Sequence, residues 1–174
     1  MARVAILEKE EVSDDLRELF QQMEDKGQTV LNLFKVMANS PEVGRAFLRL
    51  GNRILLKSRL NPRLRELAIL RVGDLAKASY EFAQHVPIAR RAGVTAEQIE
   101  ALPAWNGSPL FNDQERAVLQ YTDEVAEKIR ATDVTFGNIK VFLSDQEIVE
   151  LTATVGYYGM VSRILESLQI DLEA

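Results

Sequence analysis

There is no cysteine in the 174 residues of this chain. Disulfides, a thiolate nucleophile and thiol–disulfide exchange are therefore excluded, and so are the sulfur ligands of most structural zinc sites. Histidine occurs once, at His85, and a single imidazole cannot replace those ligands. No segment has the ligand spacing of a calcium loop, so no metal is expected. Nine glycines and five prolines leave little room for long flexible linkers. No apolar run approaches the roughly 20 residues needed to span a bilayer. The opening MARVAILEKEEVSDDL turns acidic after a short apolar patch and lacks the apolar core of a signal peptide. A cytoplasmic protein without membrane contact is the expectation.

The residues that are present describe an ordinary globular chain, 47% hydrophobic and 27% charged. The length predicts one domain over 1–174, with 1–30 as an N-terminal helical extension. A net charge of −5 disfavours nucleic acid as a partner. One stretch runs against that balance: Arg49, Arg53, Lys57, Arg59, Arg63, Arg65 and Arg71 lie in a segment whose one acid is Glu66. It reads either as a solvated basic face or as a positive field that draws in a small carboxylated substrate.

No segment alternates with period two between hairpin turns, so the fold class is all-α, with seven or eight helices. Ser13-Asp14-Asp15 starts one helix and Gly27 stops it; Leu31–Ala38 is short; Ser40-Pro41 opens another, to about Lys57. Thr95–Gln98 and Ser144–Glu147 have the form of capping boxes, and Asn112 or Asp113 caps a long helix through Arg130. Between them, Pro103, Asn106-Gly107 and Pro109 make the longest irregular connection. Trp105 and Phe111 beside it either close over a pocket or plug the core. The run from Leu151 to Val161 carries no charge and reads as buried, with Gly156 and Gly159 allowing close approach or a bend. A weak internal echo relates the segments that begin at Leu60 and Leu143, with Glu150 opposite Glu66.

The centre of the chain is LNPRLRELAILRVGDLAKASYEFAQHVPIARRAGV, residues 60–94. Asn61-Pro62 starts a helix with Leu64, Leu67, Ala68 and Val72 on an apolar stripe, and a second helix ends before Gly93. Ala78, Glu81 and His85 share one face of that second helix, and Glu81 and His85, four apart, are within reach of each other. A carboxylate beside an imidazole orients the ring and suits acid–base work near neutral pH.

RELAILRV followed by YEFAQHVPIARRAGV resembles the carboxymuconolactone decarboxylase family, a relative of the AhpD-like alkylhydroperoxidases. The likeness extends from about Asn32 to Leu172. The peroxidases carry a Glu, then eleven residues, then Cys-x-x-Cys-x-x-x-His. Laid on this chain, that pattern puts the Glu at Glu66, the cysteines at Ala78 and Glu81, and the His at His85. Peroxide reduction needs both thiols, so that activity does not carry over. The resemblance implies an AhpD-like helical fold, a homo-oligomer (trimer or hexamer) and a cofactor-free decarboxylase, or a related lyase or isomerase, acting on a small carboxylated lactone. On that reading His85, Glu81 and Glu66 form the catalytic set, and Tyr80, Arg71 and Trp105 bind substrate, though an ion pair with Asp74 or Glu66 also suits Arg71. The alternative is a noncatalytic ligand-binding or scaffold protein in which Trp105, Phe111, Tyr157 and Tyr158 line an apolar pocket or interface.

Overall fold

A computed structural model describes residues 2–173. Among these there are nine α-helices and no strand. Two of the helices, α2 (Asn32–Met37) and α6 (Ala96–Ala101), are only six residues long. The chain separates into two compact units, one holding residues up to Leu56 and from Leu165 onward, the other Lys57–Ile164.

The first unit is built on α1 (Asp14–Asp25), α2 (Asn32–Met37) and α3 (Pro41–Lys57). Their inward residues are Leu16 and Phe20, Leu33 and Val36, and Phe47 and Leu48. Gly27, at φ +70°, ends α1 as its sequence position suggests. Gly44 lets α3 start against the end of α2: a Cβ there would lie 2.7 Å from the Met37 carbonyl oxygen.

The second unit comprises α4 (Pro62–Ala76), α5 (Ser79–Arg91), α6 (Ala96–Ala101), a 3₁₀ turn (Leu102–Gly107), α7 (Asp113–Lys128), α8 (Asp133–Lys140) and most of α9 (Asp145–Leu168). The cap residues act as their sequence implies. Asn61 Oδ1 accepts from the Arg63 N–H at 2.9 Å, and the Thr95/Gln98, Asn112/Glu115 and Ser144/Glu147 pairs bond reciprocally. The irregular connection after α6 is the 3₁₀ turn, and there Trp105 joins Leu67, Leu70, Ala89, Leu102, Phe111 and Leu119 in one apolar core. Glu150, opposite Glu66 in the internal echo, instead accepts from Ser58 Oγ and from the N–H groups of Arg59 and Leu60.

α4 is the axis of this unit. All ten residues from Leu64 to Gly73 are buried, so the helix has no solvated face. The apolar stripe read from the sequence covers only part of that surface, and the charged residues Arg65, Glu66 and Arg71 are buried with it. α9 runs unbroken through Gly156 and Gly159. Of its charge-free run, Leu151, Thr154, Val155, Tyr157, Tyr158 and Val161 are buried, whereas Thr152, Ala153, Gly156 and Met160 face outward.

Ile129 caps α7 at φ +70° with 81% of its surface exposed. A β-branched residue in the left-handed region is strained by about 1–2 kcal/mol, and this one recovers little by burial. Ile129→Gly is expected to stabilise the protein by about 0.5–1 kcal/mol after the extra entropy of the glycine is subtracted, a rise in Tm of about 1–4 °C. A melting curve checks it; a fall in Tm would show that Ile129 makes a contact worth more than its strain.

Candidate active site

Glu66 is fully buried on α4, and its two carboxyl oxygens have different partners. Arg65 Nε donates to Oε1 at 3.2 Å, and His85 Nδ1, from α5, lies 2.9 Å from Oε2. With Glu66 ionised, Nδ1 carries the hydrogen of that bond, and Nε2 is left as the nitrogen that gives or takes a proton. The His85 side chain is 10% exposed. The Tyr158 ring of α9 stands edge-on to it, centroids 4.8 Å apart at 87°. Arg65 is buried too, and no carboxylate other than Glu66 lies within ion-pair distance of it among the described residues. The bond to Glu66 uses only its Nε, leaving both terminal amino groups outside that interaction.

The sequence expectation that Glu81 orients His85 is corrected here. The two share a face of α5, but the imidazole is held across the helix interface by Glu66, and Glu81 turns to α9. Its Oε2 is 2.7 Å from Ser162 Oγ, while Oε1 is buried without a hydrogen-bond partner. A Cβ added at Gly73 of α4 would stand 3.4 Å from that Oε1. Burial pushes the Glu81 carboxyl up to about 8, against a smaller opposing effect of Ser162. The hydroxyls of Tyr157 and Tyr158 are raised above the usual phenol range, first by burial and then by the nearby carboxylates.

Of the other expected site residues, Arg71 and Trp105 are tied to structural partners. Arg71 is spent on structure: it bonds Asp123 through Nε at 2.6 Å, Asp74 at 2.7 Å and the Leu102 carbonyl at 3.1 Å. The ion pair with Asp74 is thus present. Trp105 is part of the core, its Nε1 donating to Asp123 Oδ2 at 3.0 Å, so the same acid ties the 3₁₀ turn to α4. Tyr80 is buried in the first turn of α5. The basic stretch divides: Arg63 bonds Glu115 and Gln98, Arg65 and Arg71 are inside, and Arg49, Arg53, Lys57 and Arg59 are exposed. Arg65 and Ser162 are the two site residues that the sequence reading passed over. Neither is marked in the sequence: Arg65 is one arginine of a basic run until the fold buries it, and Ser162 is a serine at the end of the uncharged stretch of α9.

Chemically, the arrangement is a carboxylate that fixes an imidazole, with a buried guanidinium beside the carboxylate and a second carboxyl one helical turn away. Such a set moves protons. Comparison with known proteins bears on the fold and the family. The sequence profile of the carboxymuconolactone decarboxylase family matches residues 41–124. Among solved structures, the Agrobacterium tumefaciens protein ATU0492, of unknown function and linked to the antioxidant defence protein AhpD, is 29% identical at TM-score 0.72, covering 78% of this chain and 94% of that one. The alkylhydroperoxidase AhpD core of an uncharacterized peroxidase-related protein from Ralstonia eutropha JMP134 is 19% identical at TM-score 0.87, over 99% and 92% of the two chains. The debrominase Bmp8, solved with 2,3,4-tribromopyrrole, is 20% identical at TM-score 0.81, over 100% and 95%. The fold is AhpD-like, and the segment 41–124, which holds Glu66, Glu81 and His85, matches the carboxymuconolactone decarboxylase family within a chain that has no cysteine.

Proposed function

We propose that this protein is a cofactor-free proton-transfer enzyme, a decarboxylase or a related lyase or isomerase, acting on a small carboxylated lactone or similar ring. The observation that carries the reading is the buried Arg65–Glu66–His85 chain. In decarboxylation the bond to the carboxyl carbon breaks, CO₂ leaves, and the electron pair is delocalised into the ring carbonyl. The carbon or oxygen that receives the pair then takes a proton. His85, protonated on both nitrogens, supplies it from Nε2, and Glu66 stays ionised behind Nδ1 to stabilise the imidazolium before transfer. With Arg71 engaged by Asp74 and Asp123, the cation for the substrate carboxylate in this scheme is Arg65.

His85→Gln is expected to lower turnover of γ-carboxymuconolactone and related lactone carboxylates by about 10²–10⁴-fold, the usual worth of a positioned acid, with the melting temperature little changed. A parent rate in the variant would remove His85 from the mechanism. No turnover by the parent would leave the binding-protein alternative in its place.

A further inference from the structure

Ser162 stands within hydrogen-bond distance of two oxygens, Glu81 Oε2 at 2.7 Å and the Tyr158 carbonyl at 2.9 Å. Both are acceptors while the carboxyl is ionised, and a serine hydroxyl has one proton to give. A proton on Glu81 Oε2 satisfies both contacts: the carboxyl O–H donates to Ser162 Oγ, and Ser162 donates to Tyr158. The same assignment accounts for Oε1. As a neutral carbonyl oxygen it tolerates burial without a partner far better than half of a carboxylate would.

We propose that Glu81 rests as a neutral carboxylic acid, kept so by its burial and positioned by its contact with Ser162, and that it carries a second transferable proton one helical turn from His85. Among the described residues no ion pair is formed by Glu81: α5 itself contributes His85, which is bound to Glu66, α9 contributes the phenols of Tyr157 and Tyr158, and α4 contributes Glu66, whose carboxylate already holds Arg65. When the proton leaves, the Oε2–H bond breaks and the proton passes to the carbanion or enolate that the reaction creates. Ser162 then turns its O–H from the Tyr158 carbonyl to the new carboxylate, and that carbonyl keeps its helical N–H partner. The use of this proton rests on the proposed function; the protonation state does not.

Infrared difference spectroscopy without substrate therefore tests the assignment independently of any lactone assay. In the wild type at pH 6, the carbonyl stretch of a protonated carboxyl group is expected, disappearing as the pH passes about 8. In Glu81→Gln the band is absent, and in Ser162→Ala it moves to higher wavenumber because the acid no longer donates to a hydroxyl. The pH titration of the wild type alone gives the result if either variant fails to fold. A wild type with no such titrating band, or a band that survives in Glu81→Gln, overturns the proposal. A protein that shows the band and decarboxylates nothing upholds it while refuting the proposed function.

Discussion

Glu66→Ala is expected to cost about 3–5 kcal/mol of stability, the range for removing one partner of a buried ion pair. Arg65 is the reason. Its side chain is 8% exposed, and Glu66 is its one ion-pair partner among the described residues, so the substitution strands a guanidinium inside the protein. It also takes away the acceptor at His85 Nδ1 and leaves a cavity beside α4, where every residue from Leu64 to Gly73 is buried. Domains of this kind are stable by about 5–15 kcal/mol, so the loss is a large share of the total. Glu66→Gln should cost less, since it removes the charge but keeps an acceptor for the imidazole. Urea unfolding checks both, as a lower midpoint at unchanged slope. A Glu66→Ala protein as stable as the parent would mean that Arg65 finds water or another acid when Glu66 is gone.

Glu81→Gln is expected to do the opposite, and only above a definite pH. The folded-state value of the carboxyl is about 8 and the unfolded-state value about 4.5, so between these the native state keeps a proton that the unfolded chain has lost. Stability must then fall as pH rises, because ∂ΔG/∂pH follows protons bound by the unfolded state minus those bound by the native. Below about 4.5 both states are protonated and the full stability is present; by about 8 the loss is complete. Its upper bound is about 5 kcal/mol, at 1.36 kcal/mol per unit. The position of Glu81 in the first turn of α5 opposes this, since a helix N-terminus favours an anion by about 0.3–1 kcal/mol, too little to outweigh burial. Glutamine, shaped like the neutral acid, carries no such penalty. Denaturation of both proteins from pH 5 to pH 9 should give similar stabilities at the acid end and a more stable variant at the alkaline end. Parallel curves would mean that Glu81 is ionised throughout.

Much of the helix plan was legible because its ends are chemically marked. Asn61-Pro62, Thr95 with Gln98, Asn112 and Ser144 with Glu147 bond in the structure as their spacing suggests, and Gly27 and Gly93 have the positive φ that a helix stop uses. The end of α7 was not marked: Ile129 occupies a left-handed position where glycine is the usual sign. In the site, spacing along one helix pointed to the wrong carboxylate. Glu81 and His85 can meet on an isolated α5, but α4 and α9 supply each with a different partner, and packing of three helices outweighs a weak i, i+4 contact. Glu66 entered through resemblance to a family pattern, not through periodicity. Arg71 and Arg65 looked alike as members of a basic run; only the fold distinguishes the one tied to Asp74 and Asp123 from the one joined to Glu66. Ser162 could not be read at all, since its meaning comes from a carboxyl 81 residues away.

The central claim is that Glu66 and His85 act as one proton-moving unit. Turnover of lactone carboxylates by the wild type, Glu66→Gln, His85→Gln and the double variant measures this directly. If they act together, His85→Gln loses about 10²-fold or more and the double variant loses no more than the worse single one. Losses that multiply in the double variant, or a His85→Gln protein running at the parent rate, would contradict it.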